Sequence, residues 1–290
     1  MFHPMIKESE LTLSSDGTLY HIHLTGDTLA DNVILVGDPG RVNMFKPMFS
    51  KIEHESYNRE MHAVTGICQG KPITVLSTGM GTDNIDIVMT ELDAAANMDL
   101  HTRSPKQIHR TLNLIRIGTS GSLQPDILCG SLVASAYSVG LDGLINYYQH
   151  QPTLIEESLT HQFCNHMQFA SCFAKPYGAQ ASQDLLNRIG IDMHHGVTAT
   201  APGFYAPQGR NVRIAPAIQD LNERLASFSY DGCKLTNLEM ETSAIYGLSS
   251  IMGHNALTVC LIIANRPNGN FLNDYHKPMH ELIEKVIDRL

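Results

Sequence analysis

Two arginines in this chain follow apolar runs and lie beside glycines, a combination suited to holding an oxyanion. The first is in Leu114-Ile115-Arg116-Ile117-Gly118-Thr119-Ser120-Gly121. It reads as a buried strand that carries a charge and runs into a glycine- and hydroxyl-rich turn. Glycines let backbone N–H groups converge on bound oxygens, and a guanidinium offers a flat fork of donors that suits phosphate. The second is in Val33-Ile34-Leu35-Val36 followed by Gly37-Asp38-Pro39-Gly40-Arg41, again a strand opening into a tight turn. Strand-to-loop transitions of this kind are where α/β proteins collect ligands. An arginine at a strand end can equally pair with a carboxylate, since charges are seldom buried alone. Neither turn matches a dinucleotide or P-loop fingerprint.

These residues have to be placed by strands and helices, and the periodicity supplies both. Short apolar runs at Val33 to Val36, Ile73 to Leu76, Leu114 to Ile117, Leu132 to Ala136, Val197 to Ala199 and Leu257 to Ile263 predict strands. Ile85, Val88, Met89, Leu92, Ala95 and Ala96 form one helical stripe behind the capping candidates Thr82, Asp83 and Asn84. A second helix is predicted from near Glu241 to Gly253, and a closing one from about His280 to Leu290. Strands alternating with helices predict an α/β sheet. At 290 residues the chain suits one large domain, residues 1–290 with an N-terminal extension over 1–19, because no linker or repeat divides it. Residues 99–106 are read as an exposed loop.

Composition narrows the function. A net charge of −9 is opposite to the basic face that nucleic acid requires. The longest apolar stretch, Ala256 to Ala264, is too short to span a bilayer, and the first residues lack a secretory pattern. The expectation is a soluble, cytoplasmic protein with neither nucleic-acid nor membrane partners. Cys68, Cys129, Cys164, Cys172, Cys233 and Cys260 are scattered without C-x-x-C pairs, and the 15 histidines show no metal-ligand spacing. No metal is expected.

Four further segments stand out: Tyr57-Asn58-Arg59-Glu60, Phe204 to Arg210, Asn237-Leu238-Glu239-Met240-Glu241 and Asn265-Arg266. With the two arginine motifs, in this order from about Tyr20 to Arg266, they make a chain that resembles the uridine-specific branch of the nucleoside phosphorylase family. The resemblance implies a single-domain, three-layer α/β fold with a central mixed sheet flanked by helices. It also implies reversible phosphorolysis of uridine to uracil and ribose 1-phosphate, a pentosyl transfer in pyrimidine salvage. Inorganic phosphate is then the co-substrate and no organic cofactor is needed.

Residue by residue, the resemblance assigns phosphate to Gly37, Arg41, Arg116 and Thr119, with Arg59 supplied by a neighbouring subunit. Ribose falls to Glu239, Met240 and Glu241, and the 5′-hydroxyl to His21 reaching across from the partner, so the smallest competent unit is a homodimer. Uracil falls to Phe204, Gln208, Arg210 and Arg266; Arg116, Arg210 and Glu241 are the catalytic candidates. An amide such as Gln208 can donate to a pyrimidine oxygen while accepting from the ring N–H. Purine-specific relatives carry an aspartate after the last strand, where this chain reads Asn265-Arg266-Pro267-Asn268. Gly79-Met80-Gly81 is followed by Thr82-Asp83-Asn84 rather than the small, Pro/Ser-containing sequence of bacterial relatives, so their monovalent-cation site near Glu60 is not carried over. Each motif also has an ordinary reading: a solvated Arg59 beside Glu60, helix-start glutamates, a polar turn at Gln208. The remaining alternatives are a phosphorylase or nucleosidase for another nucleoside, and a non-catalytic nucleoside-binding protein.

Overall fold

The computed structural model describes residues 6–290; the first five residues of the expected N-terminal extension lie outside the described residues. The described chain falls into two compact units interleaved in sequence. The first comprises the stretch ending at Met80 with Asn84–Ile115 and Met252–Asn255; the second comprises Gly81–Asp83, Arg116–Ile251 and Ala256–Leu290.

In the first unit, β1 (Asn32–Val36) leads into α1 (Pro39–Phe45), then β2 (Phe49–Asn58), β3 (Met61–Cys68), β4 (Lys71–Ser77) and, from Asn84 onward, α2 (Thr82–Asn97). The strand order is β1-β4-β3-β2, with β1 and β4 parallel and the other pairs antiparallel. Val33 to Val36 are fully buried, as a continuous apolar run in a parallel pair requires. The stripe from Ile85 to Ala96 is the buried face of α2. The segment read as a loop folds back as a short ladder of β5 (Met98–Asp99) and β6 (Ser104–Pro105). Its next residue, Lys106, sets its ammonium on the Ala96 carbonyl at 3.0 Å, where a cation answers the negative helix end.

The second unit takes β7 (Asn113–Ser122) from Arg116 onward, then β8 (Leu132–Gly140), α3 (Leu154–Met167), β9 (Tyr177–Gln180), α4 (Gln183–Ile189) and β10 (His194–Thr200). It continues through α5 (Leu221–Ser227), β11 (Ser229–Tyr230), β12 (Cys233–Glu239), α6 (Thr242–Met252), β13 (Asn255–Asn265), β14 (Asn270–Phe271) and α7 (His276–Arg289). The order β11-β12-β10-β8-β13-β7 closes on itself, because β12 also pairs with β7 through Leu238↔Gly121 and Asn237↔Ser122. Parallel pairs (β8–β10, β10–β12) and antiparallel ones (β8–β13, β7–β12) are mixed. Thr153 and Glu156 close a reciprocal capping box on α3, a helix the apolar pattern does not announce. Leu159, Phe163 and Met167 on its inner face pack with Val139, Val197, Leu235 and Phe228.

Two turns expected from the sequence are not turns. Gly118-Thr119-Ser120-Gly121 continues β7 as strand to Ser122. The glycine at 118 is a steric need: a Cβ there would lie 1.8 Å from the Arg116 guanidinium, which folds back along its own row of the strand. The turn after β1 is the start of α1, with Asp38 capping the N–H of Gly40 at 2.8 Å.

Candidate functional site

Antiparallel pairing of β7 with the end of β12 brings Arg116 against the two glutamates. Arg116 forms an ion pair with Glu241 and lies 3.7 Å from Glu239. All three are buried. Burial alone would push the Arg116 guanidinium down, but the carboxylates of Glu241 and then Glu239 outweigh it and hold its proton more tightly than usual. Its Nε has no partner among the described residues, so one donor of a buried cation points at nothing the fold supplies. Behind it, Cys260 Sγ lies 3.9 Å from Nη1, and burial pushes this thiol up to about 12. Asn237 donates to Ser120 Oγ at 2.9 Å and accepts from Thr198 and Thr236, so the strand that carries Arg116 is braced by a satisfied polar network.

The two glutamates divide their work. Glu239 ends β12 and takes the N–H of Glu241 and Thr242, each at 2.9 Å, with the Thr200 hydroxyl at 2.7 Å. It therefore caps α6, and its oxygens are largely engaged by the chain itself. Glu241 accepts from the Gly81 N–H at 2.8 Å as well as from Arg116. Met240 between them is half-buried. By the period of two, Thr119 belongs to the opposite row of β7 from Arg116, the row of Gly121, where a Cβ would approach Arg266 Cγ at 3.8 Å.

Phe204, Gln208, Arg210 and Arg266 do form one cluster. The Arg210 guanidinium stacks 3.8 Å above the Phe204 ring and donates to Gln208 Oε1 at 2.6 Å. Arg266 donates to the Gln208 carbonyl at 3.3 Å. Gln208 is buried while Phe204 is exposed. Burial and then the neighbouring Arg266 charge bring Arg210 down to about 10, and burial lowers Arg266 too. Among the described residues these two close cations face only neutral oxygens, which makes a strongly electron-seeking patch. Asn222, which the motifs do not include, joins it: with its amide oriented to satisfy both neighbours, it donates to the Gln208 carbonyl and accepts from Arg266, each at 3.2 Å. Gly209, at φ +68°, leaves room for it, since a Cβ would meet Asn222 at 2.8 Å.

The remaining candidates belong to the first unit. Arg41 lies buried in the first turn of α1. Gly37 precedes it, and a Cβ there would make only an ordinary 3.5 Å contact with the Gly79 carbonyl, so packing does not demand a glycine. Arg59 is exposed at the β2–β3 turn with φ +53°, an uncommon conformation for a non-glycine residue. Among the described residues no carboxylate lies within 4.0 Å of its guanidinium, Glu60 included. His21 is held by Glu91, Nδ1 to Oε1 at 2.6 Å. Neither Glu91 nor Asn222 carries a motif signal; the one trace of Glu91 in the sequence is an acid between Val88 and Ala95 on the apolar stripe of α2. Among the described residues no three His, Cys, Asp or Glu side chains are grouped to hold a metal ion, and no helix is long and apolar enough to cross a membrane.

The model of the phosphorylase superfamily matches residues 31–289, nearly the whole chain, and the protein belongs to that family. A uridine phosphorylase from Thermococcus kodakarensis is 28% identical over 271 residues, covering 91% of this chain and 83% of the relative. A DeoD-type purine nucleoside phosphorylase from Caldanaerobacter subterraneus subsp. tengcongensis is 29% identical over 244 residues, 83% of this chain and 86% of the relative. Among solved structures, a Trypanosoma brucei nucleoside phosphorylase described as showing uridine phosphorylase activity superposes with a TM-score of 0.84 at 28% identity, covering 97% of this chain and all of that one. The α/β class with mixed strand pairing, expected from the sequence, is the class observed.

Proposed function

We propose that this chain catalyses the reversible phosphorolysis of uridine, as a cytoplasmic enzyme of pyrimidine salvage that needs no organic cofactor. The observation that carries the reading is the cluster of Arg210, Arg266, Gln208 and Phe204: two guanidiniums without a carboxylate, an amide able to donate and accept, and an aromatic wall. That set matches an imide-like base edge bearing carbonyl oxygens, and its positive charge favours a base that departs as an anion. The absence of an aspartate in Asn265-Arg266-Pro267-Asn268 favours a pyrimidine over a purine, which the DeoD-type relative otherwise brings to mind.

In this reading a phosphate oxygen attacks C1′ while the C1′–N1 bond breaks and its electron pair leaves with uracil. Arg41, Arg116 and Thr119 bind the phosphate, with Gly37 giving the backbone room and Arg59 arriving from a neighbouring subunit. Glu241, with Met240, takes the sugar hydroxyls; Glu239 serves the sugar mainly by fixing the start of α6. His21 from the partner reads the 5′-hydroxyl, so the active species is at least a dimer. Uracil release from uridine, followed by ultraviolet absorbance with and without inorganic phosphate, tests this directly. Turnover only with phosphate is the expected result. Turnover without it would make the protein a nucleosidase, turnover of inosine in place of uridine would make it a purine enzyme, and none at all would leave a binding protein.

A further inference from the structure

The segment that carries His21 buries Leu19, Ile22 and Leu24 and is fastened by polar side chains at two places. On its inner side lies Glu91, a carboxylate in the buried face of α2. It accepts the backbone N–H of His21 at 3.0 Å and of Ile22 at 2.9 Å, and meets His21 Nδ1 at 2.6 Å. Taking a carboxylate out of water is costly unless its lone pairs are filled, and here three donors from two adjacent residues fill them. A carboxylate that accepts from Nδ1 places the ring proton on that nitrogen. In the neutral ring the lone pair is then on Nε2, and the His21 side chain stays 27% exposed.

On the outer side the segment is stitched to β2. His54, Ser56 and Asn58 are alternate residues and so share one face of that strand. Asn58 donates to the carbonyls of Tyr20 at 2.8 Å and His21 at 3.2 Å, Ser56 to Ile22 at 3.4 Å, and the His54 ring to His23 at 3.3 Å. Asn58 is also the residue before Arg59 in the β2–β3 turn. One side chain thus ties the histidine segment to the turn that presents the exposed arginine.

We propose that Glu91 and Asn58 are positioning residues for nucleoside recognition: Glu91 sets the His21 ring so that Nε2 accepts the 5′-hydroxyl, and Asn58 makes His21 and Arg59 move as one piece. The inference rests on the phosphorolysis reading for its substrate and on this unit's own geometry for the rest. The ribose hydroxyl donates to Nε2, and no proton needs to leave the imidazole.

The test compares uridine with 5′-deoxyuridine on the purified full chain. Glu91→Gln keeps an oxygen for the backbone N–H groups but weakens the hold on Nδ1. It should lower kcat/KM for uridine by about tenfold and leave that for 5′-deoxyuridine nearly unchanged. His21→Ala should abolish the same preference, and adding Glu91→Gln to it should cost nothing more. Asn58→Ala should raise KM for phosphate and uridine together. Equal losses on both nucleosides in Glu91→Gln, or additive losses in the double variant, would overturn the proposal.

A second measurement does not depend on turnover. Side-chain 15N shifts of His21 in the free protein should report the Nδ1–H tautomer, replaced by a mixture in Glu91→Gln. A native Nε2–H tautomer would overturn the role given to Glu91. Should the native protein release no uracil, the phosphorolysis reading fails, and the tautomer still decides how Glu91 sets the ring.

Discussion

Arg116 and Arg210 are both drawn out of water, yet they end in opposite electrical situations. Arg116 is buried beside two carboxylates that raise its hold on its proton. Arg210 is half-buried beside another arginine, faces only carbonyl oxygens, and is lowered to about 10. The first cation is already part of the fold's own charge balance. The second is held by neutral oxygens, with no carboxylate paired to it among the described residues, so the fold leaves its charge unneutralised. An arginine that looks functional in a motif can therefore be mainly a structural partner that also offers a spare donor, or a waiting electrophilic contact, and only its neighbours distinguish the two.

The largest way to break this contrast is to remove the carboxylate from Arg116. Glu241→Ala leaves a buried guanidinium with only Glu239 nearby and should destabilise the protein by about 3–5 kcal/mol, read by urea unfolding. Arg210→Ala should leave that midpoint almost unmoved. Its cost belongs to turnover: uridine phosphorolysis should fall by about 10²–10³-fold with the KM for phosphate little changed. Near-normal turnover would remove Arg210 from the chemistry.

A subtler disturbance enters through Gly118→Ala, whose methyl would occupy the space of the Arg116 guanidinium. Overpacking of this kind should cost about 1–3 kcal/mol and raise the KM for phosphate, whereas the same substitution at Gly37 should leave stability unchanged. The smallest expected effect is at Asn222. Loss of its bridge between the Gln208 carbonyl and Arg266 should weaken uracil binding by about 1 kcal/mol, seen as a smaller thermal shift on adding uracil, with the phosphate-induced shift intact.

Much of this was legible in the residues. The runs at Val33 to Val36 and Leu257 to Ile263 are strands because fully buried strands need no alternation, and the stripe on α2 fell at its predicted residues. The motif from Phe204 to Arg210 was legible as a group because its members are close in sequence. The extension of β7 through Gly118 was not, because glycine ordinarily signals a turn and its steric reason is a side chain two residues away. The helix-start reading of the glutamates holds for Glu239, which caps α6, but from a buried position rather than an exposed one. Glu91 left only the trace of an acid on the apolar stripe and Asn222 none, since each acts through partners that only folding brings near. The β2–β3 hairpin was missed because β2 is charged and exposed along most of its length.

That exposed strand has one more property. β2 ends the order β1-β4-β3-β2, and an edge strand with free backbone groups is a template for unwanted pairing between molecules. Here His54, Ser56 and Asn58 of β2 are occupied in binding the 20–23 segment, and the other row bears Glu55 and Tyr57, with Glu55 brought down to about 2 by Lys46, His62 and Tyr57. The strand is thus charged on one face and covered on the other. The contacts that fasten His21 lay a second segment over this edge strand, so Asn58→Ala should aggregate faster in storage as well as raise KM.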